Sequence, residues 1–292
     1  MGNPACDCRD RRSGGLNRSG SKQNLFPGSV VIWSVAFQLP LDPRIVSVGL
    51  IAALFSCFPG AVSGQSDAGA KPVLVELFTS EGCSDCPPAD ELLARLDHDQ
   101  PIPGAHVVVL SEHVTYWNHQ GWADPFSMEQ MDARQKDYQS RFHIDDVYTP
   151  QMVVDGAAQF VGSNVKALSV AVTHAASGAK QPLEVTSIRW DKDGVHFTVK
   201  TNSTPGTHLF AAVAEDVTRS EVSRGENAGR TLHHVAVVRS LKQFKSGSAD
   251  SSLTLPASGV AKGTASLRLV VFLADAKDGR VVGVTEKSVA MQ

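Results

Sequence analysis

Cys83 and Cys86 form a C-x-x-C pair, the part of this chain whose residue types and spacing are best suited to chemistry. Two cysteines at this spacing can close a small disulfide at a helix start, and a thiolate is the nucleophile in thiol–disulfide exchange. We expect Cys83 to be the attacking thiol, at the exposed mouth of the turn. We expect Cys86 to resolve the mixed disulfide, because Pro87, Pro88 and the following helix shield it.

Two other uses of the pair stay open. As a structural disulfide it would pin a turn in an oxidising compartment, although so short a loop gives little entropic stabilisation. As a ligand pair it needs another donor, and His113 and His119 follow the next predicted strand, whose end shares an edge of the sheet with the pair. A Cys2His set suits copper or zinc, and His113 is equally a candidate proton carrier for the thiols. We assign no metal ligand and no cofactor.

Charged and aromatic residues are expected around the pair. Asp85 lies between the two cysteines, and a carboxylate there should raise the pKa of the thiols. The polar segment 218–230 is either a solvated loop or folds back on the pair, where its three arginines would favour the thiolate. Tyr116, Trp117 and Trp122 are expected to cover this edge of the sheet, either as loop packing or as an apolar groove for a peptide.

The elements that must position the pair alternate between apolar runs and helical patterns. The pattern predicts strands at 73–79, 106–110, 151–154 and 159–161, and helices at 87–96, 128–142 and 164–176. The order is β-α-β-α-β-β-α, with the cysteine pair between the first strand and the first helix. The first two strands must run parallel, because a right-handed crossover joins them.

This order, with Thr149-Pro150 directly before the third strand, resembles the thioredoxin fold. The resemblance implies a cis peptide bond at Pro150, which would face the cysteine pair and hold the substrate strand. Gly82 stands where a tryptophan usually precedes the first cysteine, and Ser84-Asp85 replaces Gly-Pro. These departures predict slower exchange than in a typical thioredoxin.

Four longer motifs extend the resemblance. ELFTSEGCSDCPPAD, HVTYWNHQGWADPFS, YTPQMVVDG and RGENAGRTLHH together resemble the bacterial secreted family called domain of unknown function 1223, over roughly residues 72–290. The resemblance implies a thioredoxin-like domain at 71–178 and no established activity.

The cysteine-free part of the chain, 182–292, has a different character. Strands are predicted at 183–190, 195–200, 208–214, 235–241, 267–274 and 280–289, with turns between them. Closely spaced strands of this kind are typical of a β-sandwich-like domain, and 177–181 is the predicted linker. His233 and His234 are neighbours on a strand, so one points inward and the other outward, and we expect no joint site.

Residues 1–64 are interpreted as a leader. Arg44, the fourteen-residue apolar run 45–58 and the small residues after it have the layout of a secretory signal peptide. The run is shorter than the roughly 20 residues of a membrane span, and the mature chain is expected to begin near 64–69. Residues 1–29 are interpreted as lying upstream of the true start codon. The alternative is a membrane anchor formed by the apolar run.

Composition narrows the functional classes. The 292 residues carry a net charge of -3, which gives no electrostatic basis for binding nucleic acid. The first hypothesis is a periplasmic or secreted thiol–disulfide oxidoreductase whose partners are protein thiols or disulfides, with no stable membrane span in the mature form. The second is a non-catalytic envelope binding protein whose cysteine pair is a structural disulfide or a copper or zinc ligand.

Overall fold

In a computed structural model, the structure describes residues 69–202, 206–244, 251–256, 260, 264 and 266–290. The helices are α1 (Pro87–Asp99), α2 (Glu129–Phe142) and α3 (Val165–Ser177). The strands are β1 (Lys71–Thr79), β2 (Ala105–His113), β3 (Gln151–Val154), β4 (Ala158–Val161), β5 (Leu183–Asp191), β6 (Gly194–Thr201), β7 (Thr207–Glu221), β8 (Thr231–Phe244), β9 (Ser251–Leu255), β10 (Leu267–Asp275) and β11 (Val281–Val289).

The predicted leader, with its apolar run 45–58 and its cleavage region, lies outside the described residues. Within the part of the chain that the structure describes, no helix has both the length and the apolar character needed to cross a membrane.

The seven elements predicted before residue 178 are present in the predicted order. β1 runs parallel to β2 and antiparallel to β3, and β4 pairs with β3, which gives the strand order β2-β1-β3-β4. The connection through α1 makes the parallel pair possible, because parallel strands need a crossover of a dozen or more residues. β1 is buried from Val73 to Thr79, as expected for a central strand covered on both faces.

Strands from the second predicted domain extend this sheet. The complete order is β11-β10-β7-β8-β2-β1-β3-β4, so four strands that follow residue 182 belong to the same eight-stranded mixed sheet. β8 joins β2 through one parallel bridge, Ser111 with Val237. This pairing covers the edge of β2, which would otherwise expose unpaired main-chain groups. A local hydrophobic pattern cannot indicate it, because the pattern shows which residues are buried and not what lies beside them.

A second antiparallel sheet has the order β5-β6-β9. It packs on β7 and β10, which carry apolar side chains on both faces. On β10, Val270 and Phe272 enter the core of the large sheet, whereas Leu269 and Val271 join Phe197 of the second sheet in a separate core. The alternation follows from the two-residue side-chain period of a strand. β9 was not predicted, since SSLTL is short and mostly polar.

A buried ion pair joins β1 to α2. Arg134 Nε donates to Glu76 Oε1 at 2.7 Å, and the Tyr138 hydroxyl donates to Glu76 Oε2 at 2.5 Å. Glu76 is completely buried, and the Arg134 guanidinium lies over the rings of Tyr138, Phe210 and Phe272. Glu112, 3.3 Å from the same guanidinium, is also buried, and this burial raises its pKa well above the ordinary value. The cluster is therefore organised around one arginine.

Candidate functional site

Cys83 and Cys86 are joined in a disulfide, with their Cα atoms 5.5 Å apart. The bond lies in the turn between β1 and α1, and Cys86 already has the helical backbone conformation of the residue before α1. Both cysteines are buried, with exposed fractions of 1% and 0%, whereas Ser84 and Asp85 between them are exposed. The expectation that Cys83 lies at an open mouth is therefore wrong. Asp85 extends into solvent from the tip of the turn.

The loop between β7 and β8, residues 222–230, lies against the turn that carries the pair, and we call it the cover loop. Asn227 is buried in it, and its Nδ2 donates to the main-chain oxygens of Glu81 at 2.8 Å and Cys83 at 2.9 Å. The main-chain N–H of Ser84 donates to Glu226 Oε2 at 3.1 Å. These bonds hold the cysteine turn in place, although Asn227 is 144 residues away from Cys83 in the chain.

The expectation that segment 218–230 folds back on the pair is confirmed, but other residues make the contact. Asn227 and Glu226 reach the turn, whereas Arg219 pairs with Glu221 and Arg230 donates to Asn227 Oδ1. The first residues of the segment also belong to β7 rather than to a loop. The three arginines thus indicated the segment that contacts the turn, but the arginines themselves do not make the contact.

Replacing Asn227 with alanine is expected to lower the free energy of unfolding by about 1–3 kcal/mol, because two carbonyls of the turn lose their donor. The variant should also be reduced faster by dithiothreitol, since the cover loop is released. Urea unfolding of the oxidised protein and quenched reduction time courses measure the two effects. Arg224→Ala, an exposed position in the same loop, is the control and should change neither. Equal reduction rates in the wild type and Asn227→Ala would contradict the assigned role.

Glu81 is the centre of a buried polar network beside the disulfide. Its side chain accepts hydrogen bonds at Oε2 from Trp122 Nε1 at 2.8 Å and from the Ser220 hydroxyl at 3.1 Å. Its Oε1 lies 3.2 Å from Nε2 of His234, a buried residue of β8. On the other side of the imidazole, Nδ1 is 3.7 Å from Asp90 Oδ1. Burial alone would lower the pKa of His234, but its polar contacts with Asp90 and Glu81 outweigh burial and raise the pKa to about 10.

His113 belongs to the same network. Its Nδ1 lies 2.7 Å from Asp124 Oδ2, which also accepts the main-chain N–H of Glu81 at 2.8 Å. Burial opposes ionisation of Asp124, yet the neighbouring His113 and the hydrogen bonds keep the pKa of this carboxyl below its ordinary value. The imidazole of His113 packs edge-on against that of His234, with ring centroids 4.6 Å apart. His113 therefore reaches the surroundings of the pair, whereas His119 is exposed.

In the disulfide-linked state, Cys83 and Cys86 cannot act as the sulfur ligands of the proposed metal site. A disulfide offers no thiolate, and thiolates are the sulfur ligands that zinc requires. Among the residues that the structure describes, no group of three or more histidines, cysteines and carboxylates is arranged to hold a metal ion.

Pro150 directly precedes β3, the strand that pairs with β1. The Thr149-Pro150 peptide bond is cis, as the resemblance implied, and the next residue, Gln151, pairs with Phe78 at the end of β1. A Cβ added to Gly162 would lie 3.0 Å from the Cβ atoms of both Pro150 and Ala89. Pro150 therefore lies against the first turn of α1, which begins directly after Cys86.

The loop after β2 packs on the cysteine turn from a third direction. Trp117 Nε1 donates to Thr149 Oγ1 at 2.7 Å, so this ring joins the loop to the cis peptide. A Cβ at Gly82 would be 3.1 Å from the Trp117 Cβ and 3.3 Å from the Trp117 main-chain oxygen, so a larger residue before Cys83 would press on this loop. Trp122 Nε1 donates to the side chain of the buried Glu81, and the Tyr116 hydroxyl donates to Gln135 Oε1 at 3.1 Å. All three aromatic residues have packing roles.

Four residues of the network were not predicted as members of the site: Glu81, Asp90, Asp124 and His234. Glu81 and Asp90 flank the cysteines in the sequence, but acidic residues are usually exposed. The opposite orientation of His233 and His234 is confirmed, since His233 is exposed and His234 is buried. Strand alternation was the available signal for His234. It indicated an inward side chain but not the carboxylate 153 residues away that the side chain meets.

The fold and the site define a mixed α/β protein with a large mixed sheet, a second antiparallel sheet and a buried, disulfide-linked cysteine pair. The model of the family described as "Protein of unknown function (DUF1223)" matches residues 74–274, and the chain belongs to this family. A protein from Agrobacterium tumefaciens with a crystal structure is similar in fold, at 26% identity and a TM-score of 0.57. The similarity covers 74% of this chain and 94% of that one. No curated protein matches the chain.

Proposed function

We propose that this protein is an exported thiol–disulfide oxidoreductase with a thioredoxin-like domain, in which Cys83 and Cys86 form the redox centre. The observation that carries the proposal is the position of the disulfide, directly before α1 and beside the helix turn against which cis-Pro150 packs. A thiolate there is favoured by the positive end of the helix dipole. The strand order β2-β1-β3-β4 supports the thioredoxin-like topology.

The roles follow from the two positions. Cys83 precedes the exposed Ser84 and is held by the cover loop through its own carbonyl, so movement of that loop frees its sulfur for a substrate. Cys86 is anchored at the start of α1, where it remains available to resolve the mixed disulfide. Because Cys83 is 1% exposed in the oxidised state, exchange with a protein substrate requires the cover loop to open.

Substitution of each cysteine in turn tests the proposal. Cys86→Ser should trap mixed disulfides with envelope proteins, because no thiol resolves them, whereas Cys83→Ser should trap none. Diagonal redox gels of both variants in the native host show the adducts. Trapping by both variants to the same extent would reverse or abolish the assigned roles.

The reduction potential of the pair separates this proposal from the second candidate function, a non-catalytic envelope protein with a structural disulfide. Burial of both cysteines favours that candidate. A potential between about -120 and -270 mV is expected for a redox enzyme, whereas one below about -300 mV would indicate a structural bond. Equilibration with glutathione and dithiothreitol buffers measures it.

A further inference from the structure

A small cleft opens between the first turn of α1 and the start of β8, with a volume of about 100 Å³. Its lining includes Asp90, Glu91, Arg230 and His234. Asp90 and His234 have exposed fractions of only 5% and 1%, yet the cleft connects them to solvent. Among the described residues, neither Asp90 Oδ1 nor His234 Nδ1 has a hydrogen-bond partner, and the two atoms face each other at 3.7 Å, an ion-pair distance. The Asp90 carboxylate is therefore buried, can still accept a hydrogen bond, and lies at a cleft through which a proton can reach solvent.

Asp90 is also placed beside the resolving cysteine. The main-chain N–H of Asp90 donates to the Cys86 oxygen at 3.1 Å, which is the hydrogen bond of an α-helical turn. Residues four apart on a helix are neighbours on one face, with Cβ atoms about 5–6 Å apart. Side chains on a helix lean toward its N-terminus. Asp90 therefore lies on the face of α1 that follows from Cys86.

We propose that Asp90 is the proton acceptor for the Cys86 thiol when the mixed disulfide is resolved, with His234 as the residue that positions it. This inference rests on the proposed function and adds a step to it. The transfer requires a direct contact or one bridging water molecule between the carboxyl and the thiol, which is the reach of general-base catalysis.

In the direction that reduces a substrate disulfide, the step begins with Cys83 already bonded to one substrate sulfur. The Cys86 S–H proton passes to the Asp90 carboxylate, and the Cys86 thiolate attacks the Cys83 sulfur. The Cys83–Cys86 bond forms, the bond from Cys83 to the substrate breaks, and the electron pair of that bond leaves on the substrate sulfur. The substrate thiolate takes a proton from water, and Asp90 returns its proton to solvent through the cleft.

Charges around Asp90 come from several elements. His234 on β8 faces it across the 3.7 Å gap and is itself held by Glu81 from the cysteine turn. Arg230 of the cover loop and Glu91 of α1 line the cleft.

Behind His234 lie His113 and Asp124, which form a pair of their own. The imidazolium of His234 lies between the Glu81 and Asp90 carboxylates, so it fixes the orientation of Asp90 without neutralising both acidic groups.

The test uses the full reduced protein and oxidised glutathione as the probe. Samples are quenched with acid, and mass spectrometry follows the glutathione adduct on Cys83 and its disappearance. Asp90→Asn is expected to slow resolution about 100-fold at pH 7, the size of a lost general base, so that the adduct accumulates. Asp90→Glu should restore part of the rate. Asp99→Asn is the control, an exposed acidic residue at the other end of the same helix and outside the cleft, and should resolve the adduct at the wild-type rate.

The pH profile distinguishes proton transfer from a structural effect. Without an internal base, the rate follows the thiolate fraction of a free thiol and rises about tenfold per pH unit below pH 8. The wild type should show a much flatter profile between pH 6 and 8, and Asp90→Asn the steep one. His234→Gln should fall between them, because Asp90 is present but less well oriented.

The outcomes separate the two claims. If the wild type forms no adduct and its disulfide resists reduction, the proposed oxidoreductase function fails. If the wild type forms and resolves the adduct but Asp90→Asn resolves it equally fast, only the role of Asp90 is overturned. Should Asp90→Asn not fold, the wild-type profile decides alone, since a tenfold rise per pH unit in the native protein would exclude an internal base.

Discussion

Arg134→Met is expected to lower the free energy of unfolding by about 3–5 kcal/mol, the usual effect of removing one partner from a buried ion pair. Glu76 is completely buried and receives two hydrogen bonds from the guanidinium. Without them its carboxylate keeps only the Tyr138 hydroxyl. Methionine preserves most of the packing against Phe210 and Phe272, so the loss reports the charge rather than a cavity. Urea unfolding at pH 7 measures it.

Two controls accompany this measurement. Arg95→Met changes an exposed arginine on α1 and should alter stability by no more than about 0.5 kcal/mol. Adding Glu76→Gln to Arg134→Met should recover part of the loss, because the orphaned charge is removed together with its partner. A decrease below about 1 kcal/mol for Arg134→Met alone would show that the ion pair does not stabilise the joint between β1 and α2.

Stability is expected to fall as the pH rises from 6.5 to 10 because of His234. In the unfolded chain the imidazole loses its proton near pH 6.5, whereas the folded protein retains it until about pH 10. The stabilisation is therefore fully present below pH 6.5 and is lost as the pH rises through 10. A pKa raised from 6.5 to about 10 corresponds to about 5 kcal/mol over this range. Unfolding of the oxidised protein at a series of pH values measures the slope.

The neighbouring histidine provides the control for this prediction. His233→Gln changes an exposed imidazole on the same strand and should leave the slope intact. His234→Gln should flatten it, whatever its stability at a single pH, because no titrating imidazole remains between Glu81 and Asp90. An unchanged slope in His234→Gln would mean that the folded protein does not keep this histidine charged above neutral pH.

The local elements were predictable because each carries its own signal. Helix α1 begins with two prolines and has Leu92, Leu93 and Leu96 on its buried face, and the observed β3 has the predicted bounds. The joining of β8 to β2 was not predictable in this way, since one bridge between distant segments leaves no local pattern. For the same reason Cys83 was expected to be open: the residue that covers it, Asn227, lies in another part of the chain.

The same difference between local signals and long-range contacts applies to the residues of the candidate site. Cys83, Cys86 and Pro150 were found from spacing and resemblance, because their chemistry depends on the immediate sequence. Glu81 and Asp90 were missed because acidic residues are usually exposed, and their burial depends on tertiary partners: His234 for both, with Trp122 and Ser220 in addition for Glu81. A sequence pattern shows where a charge occurs but not whether a distant strand will neutralise it.

The single bridge between β2 and β8 has a mechanical consequence. The eight-stranded sheet consists of two well-paired ladders that meet at Ser111 and Val237. Side chains reinforce this seam, and they are the ones around the disulfide: His234 with Glu81, and Asn227 with the Cys83 carbonyl. We expect tension that parts the ladders to strain the same hydrogen bonds that hold the cysteine turn. Equilibrium coupling is reciprocal, so under the proposed function a state of the pair that favours release of the turn also favours a looser seam between the two halves of the sheet.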